Sequence, residues 1–164
     1  MFPGDLVGLQ GAFDDPLLHG VEALTPALLC HFPRDRFFDL VTSHPRLSFD
    51  VTWLAAKEEA ALEEHIVALG QRSARERIAY LALFLVQRGI DTGMTRDGVL
   101  EIAVNQSQIA DMLGLSLVHT NRTLQALRRA ELVSWTASEI SIPDMATARA
   151  FAHFDAGHSP RPFI

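Results

Sequence analysis

Asn105-Gln106-Ser107-Gln108-Ile109-Ala110-Asp111-Met112-Leu113-Gly114-Leu115-Ser116-Leu117-Val118-His119-Thr120-Asn121-Arg122-Thr123-Leu124-Gln125-Ala126-Leu127 decides how the chain is read. Asn105 suits a helix N-cap, with Gln108 answering three residues on. Ile109 and Leu113 make one buried face, and Ala110 is small where a second helix would cross closely. Gly114 permits the positive φ of a tight turn. Ser116 caps a second helix, whose far end is buried by Leu124 and Leu127 together with Thr120. The pattern is two short helices, Gln106 to Leu113 and Leu117 to about Arg129, in a helix-turn-helix. It leaves Leu117, Val118, His119, Asn121, Arg122 and Gln125 near the surface at the start of the second helix.

Those residue types suit a helix that enters the DNA major groove by its N-terminal part. Arg122 can pair bidentately with guanine, Asn121 or Gln125 with adenine, and Val118 can touch a thymine methyl. Ser116 and the helix N-terminus favour a phosphate, and Arg128 further along can meet another. A helical hairpin with a solvated face is the plainer alternative. The following stretch favours DNA, because Leu132 to Trp135 and Glu139 to Ile142 read as paired strands around Thr136-Ala137-Ser138, the form of a wing.

Upstream, Ser73-Ala74-Arg75-Glu76 is a capping box. It opens a helix with Ile78, Leu81, Ala82, Leu85 and Val86 at helical spacing, which Gly89 is expected to stop. Asp91 to Gly98 reads as a loop, and Val99 to Val104 alternates as a strand. Downstream, Pro143-Asp144 caps a last helix to about Phe154, followed by a loose tail.

Pro45 suits the first turn of a long helix, which Gly70 is expected to end. Val51, Ala55, Leu62, Ile66 and Leu69 recur at spacings of four, seven, four and three, the seam of a helix packed on another helix. Glu58 and His65 interrupt it. A core helix within one chain is possible, but residues 1–46 offer little to cover the seam, so a dimer seam is favoured. Pro33-Arg34-Asp35 reads as the start of a short helix to about Thr42. Residues 1–33 read as turns, including Gly4-Asp5, Gly8, Gly11, Asp14-Asp15-Pro16 and Gly20. Short strands are expected at Leu6-Val7, Val21 to Leu24 and Leu28 to Phe32.

Composition bounds the function. The 164 residues allow one good core or two small ones. No apolar run is long enough to cross a bilayer. Met1-Phe2-Pro3-Gly4-Asp5 has neither a basic nor an apolar leader region, so a cytoplasmic protein is expected. The single cysteine, Cys30, excludes an internal disulfide and a cysteine-only metal cluster. Net charge is −6, mildly against a nucleic-acid binder. The charge is uneven, however. Glu58, Glu59, Glu63 and Glu64 crowd one segment, while Gln106 to Arg129 sets Arg122, Arg128 and Arg129 against Asp111 alone. Screening over about 10 Å lets such a local basic face act. His19, His31, His44, His65, His119, His153 and His158 show no paired ligand spacing, so no metal is expected. Glu63-Glu64-His65 reads most simply as a solvated helix face. With no catalytic triad, phosphate loop or carboxylate constellation, neither an enzyme nor a cofactor is expected.

Taken together, the residues resemble the Crp/Fnr family of bacterial regulators over nearly the whole chain. Pro3-Gly4-Asp5-Leu6-Val7-Gly8 resembles a turn midway through that family's sensory β-roll, and Val21-Glu22-Ala23-Leu24-Thr25 a late strand of it. His44-Pro45-Arg46-Leu47 resembles the start of the dimerisation helix, and Arg75-Glu76-Arg77-Ile78-Ala79 the helix that opens the DNA-binding domain. Leu113 to Leu124 resembles a branch with a valine-histidine-x-asparagine-arginine recognition helix. The resemblance implies an α+β fold: the C-terminal part of a cyclic-nucleotide-binding-like β-roll over 1–46, a dimerisation helix over 47–72, a winged helix-turn-helix over 73–154 and a flexible tail over 155–164. It puts the reading contacts on Val118, Asn121 and Arg122, with Leu117 and His119 beside them. Better-known branches carry arginine and glutamate where Leu117 and Val118 stand, so their target is not carried over.

Departures matter too. Thr120 stands where the branch usually has valine, and Glu131 where a glycine usually precedes the wing, so packing and turn are expected to be slightly weakened. The first half of the roll has no counterpart, which is expected of a truncated product or a missed upstream start, and half a roll leaves unpaired edges. Leu9 and Leu17-Leu18 stand where nucleotide-binding members carry glutamate and an arginine-serine pair, so cyclic AMP is not expected to bind. An iron-sulfur sensor needs several cysteines. The expectation is a homodimeric regulator that reads a pseudo-palindromic operator on double-stranded DNA and touches RNA polymerase. The alternatives are a dimerising interaction remnant that does not bind DNA, and a ligand sensor with an altered pocket.

Overall fold

Proline in a first helical turn has its φ already set, and its missing N–H forfeits no hydrogen bond. Pro45 accordingly opens the longest helix. In the computed structural model, which describes residues 1–13 and 20–155, the helices are α1 (Phe37–Ser43), α2 (Pro45–Gln71), α3 (Ala74–Asp91), α4 (Gln106–Leu113), α5 (Leu117–Arg129) and α6 (Met145–Ala152). Four short strands accompany them: β1 (Thr95–Arg96), β2 (Val99–Glu101), β3 (Ser134–Trp135) and β4 (Glu139–Ser141). The class is α+β. The chain divides into two units, one mainly of residues 3–62 and the other mainly of residues 63–157.

In the first unit, the strands expected at Leu6-Val7, Val21 to Leu24 and Leu28 to Phe32 do not form; no strand occurs among the described residues before α1. A ladder needs a partner strand, and no described residues of this unit supply one. A 3₁₀ turn covers Leu9–Ala12 instead, entered through Gly8 at φ 76°. A second, Arg34–Arg36, runs into α1, so the short helix foreseen from Pro33 to Thr42 is present. Phe13 and Phe37 meet edge to face at 5.6 Å. Leu28 is 96% exposed and Leu29 80%. Leu17-Leu18 and most of the tail lie outside the described residues.

The second unit is built on α3. Ser73 and Glu76 close the foreseen capping box: the Ser73 N–H donates to Glu76 Oε2 at 2.7 Å, and the Glu76 N–H to Ser73 Oγ at 3.4 Å. Ile78, Leu81 and Leu83 of α3 are at most 1% exposed, as are Leu100, Ile109, Leu113, Leu127 and Ile140 from the elements around it. α3 does not stop at Gly89 but continues to Asp91. Gly89 is small for another reason: a Cβ there would lie 2.7 Å from Leu100 Cδ1, so β2 approaches the helix closely. The segment read as a loop holds β1. Asp97 (φ 51°) and Gly98 (φ 77°) make the two-residue turn that pairs β1 with β2, since both central residues of such a turn need positive φ. The sheet order is β1-β2-β4-β3, antiparallel throughout. The foreseen β3–β4 hairpin pairs Trp135 with Ile140, and β4 also pairs with β2, Leu100 opposite Ile140. Asp144 caps α6 by accepting from the Ala146 and Thr147 N–H groups. α6 ends at Ala152, two residues short of the expected Phe154, because His153 takes a left-handed conformation at φ 50°.

Candidate nucleic-acid interface

The α4–turn–α5 geometry follows from its caps. Asn105 Oδ1 accepts from the Gln108 N–H at 3.0 Å, and Gln108 Oε1 accepts from the Asn105 N–H at 2.9 Å. Gly114 closes α4 at φ 62°, ψ 38°, and the Leu115 N–H returns to the Ala110 carbonyl at 2.9 Å. Ser116 Oγ then accepts from the His119 N–H at 3.2 Å. Ile109, Ala110 and Leu113 of α4 face Thr120, Thr123, Leu124 and Leu127 of α5, all buried. Thr123 joins this buried face although only Thr120 was expected there among the threonines.

Burying that face sends the rest of α5 outward. Leu117 is 54% exposed and Val118 62%; His119, Arg122, Gln125 and Arg128 are exposed, and Asn121 is half-buried. Apart from Leu117, these outward-facing residues fall into three groups. Ser116, Val118, His119 and Arg122 line an open groove with Thr123 and Ala126, and its opposite wall is Ser73, Ala74 and Arg75 at the start of α3. Asn121 and Gln125 lie in a hydrogen-bonded row with Gln106 of α4: Asn121 Nδ2 donates to Gln106 Oε1 at 2.8 Å, and Gln125 Nε2 donates to Asn121 Oδ1 at 2.7 Å. Arg128 stands apart in the last turn of α5.

Among the described residues lining the groove, Arg75 and Arg122 are cationic and none is acidic. The N-termini of α3 and α5 both lie along it, adding the partial positive charge of their unpaired N–H groups. Sequence reasoning missed Arg75 as a site residue and Gln106 as a partner of Asn121. Arg75 was legible only as part of a capping box, since its nearness to α5 depends on how α3 crosses the helix pair.

Beside this face, Arg72 stacks on Tyr80, its Cζ 4.4 Å from the ring centroid. It also donates to Glu64 Oε2 and to the His153 carbonyl, each at 3.2 Å. It thereby ties the C-terminal part of α2 to the residue that follows α6.

Residues 76–150 match the Crp-like helix-turn-helix domain. Over those residues the chain is similar to Crp-type regulators. Nitrogen fixation regulation protein FixK of Bradyrhizobium diazoefficiens is 29% identical over 152 residues, covering 92% of this chain and 62% of that protein. Transcriptional activator protein FnrL of Cereibacter sphaeroides is 26% identical over 137 residues, covering 82% and 54%. Among solved structures, FixK2 of Bradyrhizobium japonicum shares the fold at a TM-score of 0.61 and 21% identity, covering 77% of this chain and 60% of its own. A CooA mutant of Carboxydothermus hydrogenoformans matches at a TM-score of 0.58 and 25% identity, covering 72% and 54%. The chain therefore spans 54–62% of the length of these two curated relatives. No helix among its described residues is long and apolar enough to cross a membrane.

Proposed function

We propose that this chain is a sequence-specific DNA-binding transcription regulator that reads a pseudo-palindromic operator as a homodimer. The observation that carries the reading is the α5 surface: one face seals the core, while Val118, His119 and Arg122 line a cationic groove with Arg75. In this role α5 enters the major groove by its N-terminal half. Arg122 pairs with guanine, Asn121 or Gln125 with adenine, and Val118 meets a thymine methyl, with Leu117 and His119 alongside. Ser116 and Arg128 hold phosphates, and Arg75 adds a third such contact across the groove. Phosphate contacts fix the register, and base contacts specify the sequence.

Dimerisation would run through residues 47–72. Supporting it, Leu62 is 64% exposed and Ile66 68%, two apolar seam positions that this chain leaves uncovered. Residues 1–46 would correspond to the later part of the sensory roll, residues 73–154 to the winged helix-turn-helix and residues 155–164 to a tail, with RNA polymerase as a further partner by family.

A second reading, a dimerising remnant that does not bind DNA, is favoured by the unpaired segments of the first unit and by the net charge of −6. Selection from random duplex DNA decides between them. The regulator recovers a two-fold motif with half-sites one helical turn, about 34 Å, apart, whereas the remnant recovers no motif.

A further inference from the structure

The row of amides linking α4 to α5 assigns different tasks to residues that the helix pattern alone leaves equivalent. Asn121 is half-buried, and both ends of its amide are occupied, Nδ2 on Gln106 and Oδ1 by Gln125. Each group keeps one unused hydrogen or lone pair, but the two bonds fix this amide between its neighbours at a half-buried position. Gln125 differs. It is exposed, and only one of its two N–H groups is used within the row. Its second N–H and its Oε1 are not used in the row. One donor and one acceptor on a planar amide match the adenine edge in the major groove, where N7 accepts and the N6 amino group donates.

We infer that Gln125 reads an adenine in each half-site, and that Gln106 and Asn121 are positioning residues that turn its amide toward that base. The inference rests on the DNA-binding reading above and says which amide does the reading. The polarity of the row biases the base identity. Because Gln106 accepts through Oε1, Asn121 donates to it and accepts from Gln125, and Gln125 is left with one N–H and an unengaged Oε1. A row running the other way would engage Oε1 and leave both N–H groups, a set weighted toward guanine, whose N7 and O6 both accept.

The test is selection from random duplex DNA with the full chain and three variants, each first checked for an unchanged melting profile. The unmutated chain should recover a two-fold motif in which one position per half-site is adenine, preferred roughly 5- to 150-fold over other bases, the range of one good bidentate pair. Gln125→Ala should lose the preference at that position and keep it elsewhere. Gln106→Leu, which fills similar space but cannot accept, should weaken the preference at the same position. Gln106→Glu, which restores an acceptor for Asn121 Nδ2, should recover it even if its charge lowers affinity for all sequences alike. A merely structural role for Gln106 would not give this rescue. Guanine in place of adenine at the Gln125-dependent position, or an unchanged motif from Gln125→Ala, overturns the inference while leaving DNA reading intact. An unchanged motif from Gln106→Leu overturns the positioning role. If the unmutated chain recovers no motif, the DNA-binding reading itself fails.

Discussion

Thr120 is fully buried in α5, and its hydroxyl has no hydrogen-bond partner among the described residues. Desolvating a hydroxyl without a bond costs about 1–3 kcal/mol. Thr120→Val keeps the β-branched shape and removes the polar atom, so urea denaturation should show about 1 kcal/mol of added stability. No gain would mean that the hydroxyl finds a partner in solution. Glu131 sits at φ 55°, a left-handed conformation that costs a residue with a Cβ about 1–2 kcal/mol. Glu131→Gly should therefore stabilise the turn before the wing by about 1 kcal/mol, read in the same way. His65 packs against Tyr80 and Phe84 at ring distances of 6.0 and 6.3 Å, and burial holds its pKa below the ordinary histidine value. The unfolded chain then takes up the proton more readily than the folded one. This contribution to stability is complete above about pH 6.5 and is lost as pH falls from there. Melting temperature should drop between pH 7.5 and 5.5, and less so in His65→Gln; equal slopes would point to another group. Thr120 and Glu131 were legible as departures, because the family pattern marks both positions. The burial of His65 was not, since its sequence neighbours Glu63 and Glu64 read as a solvated face.

Caps and turns made the second unit's helices readable, because each is settled within a few residues. The Ser73 and Asn105 boxes, Gly114, Ser116 and Asp144 all act where local chemistry placed them. Ser116→Ala removes the side-chain acceptor at the start of α5 and should cost about 1 kcal/mol, in the usual range for an N-cap, while Ser116→Gly should cost less. Equal losses for the two would show that the hydroxyl does not cap in solution. Pairing between distant segments was less legible. The Asp97-Gly98 turn carries a hairpin signal, yet β1 has only two residues and shows no alternation. The β2–β4 pairing joins segments some forty residues apart and leaves no local trace. Gly89 illustrates the same limit: a glycine late in a helix resembles a stop, but here its size admits Leu100. The strands expected before residue 34 failed in the opposite sense. Short apolar stretches set a preference for extended backbone, but a strand also needs a neighbour to bond with.

Across the whole chain, charge and apolar surface are distributed unevenly, which the net −6 conceals. The acidic run lies on α2, while α5 carries Arg122, Arg128 and Arg129, and Arg75 lines the groove beside it. Leu62→Asp would put a charge into the apolar seam of α2, where an unpaired buried charge is costly. Light scattering should show the unmutated chain as a dimer and the variant as a monomer; a monomer in both would remove α2 as an interface. The central claim is that α5 is the reading head. Its most direct test is a titration of the selected operator and of scrambled duplex, over a range of salt, with the unmutated chain, Arg122→Ala and Arg128→Ala. Arg122→Ala should lose roughly 1–3 kcal/mol of discrimination per half-site. Arg128→Ala should weaken both duplexes alike and lower the salt slope by about one unit per half-site. Full affinity and discrimination in Arg122→Ala would contradict it.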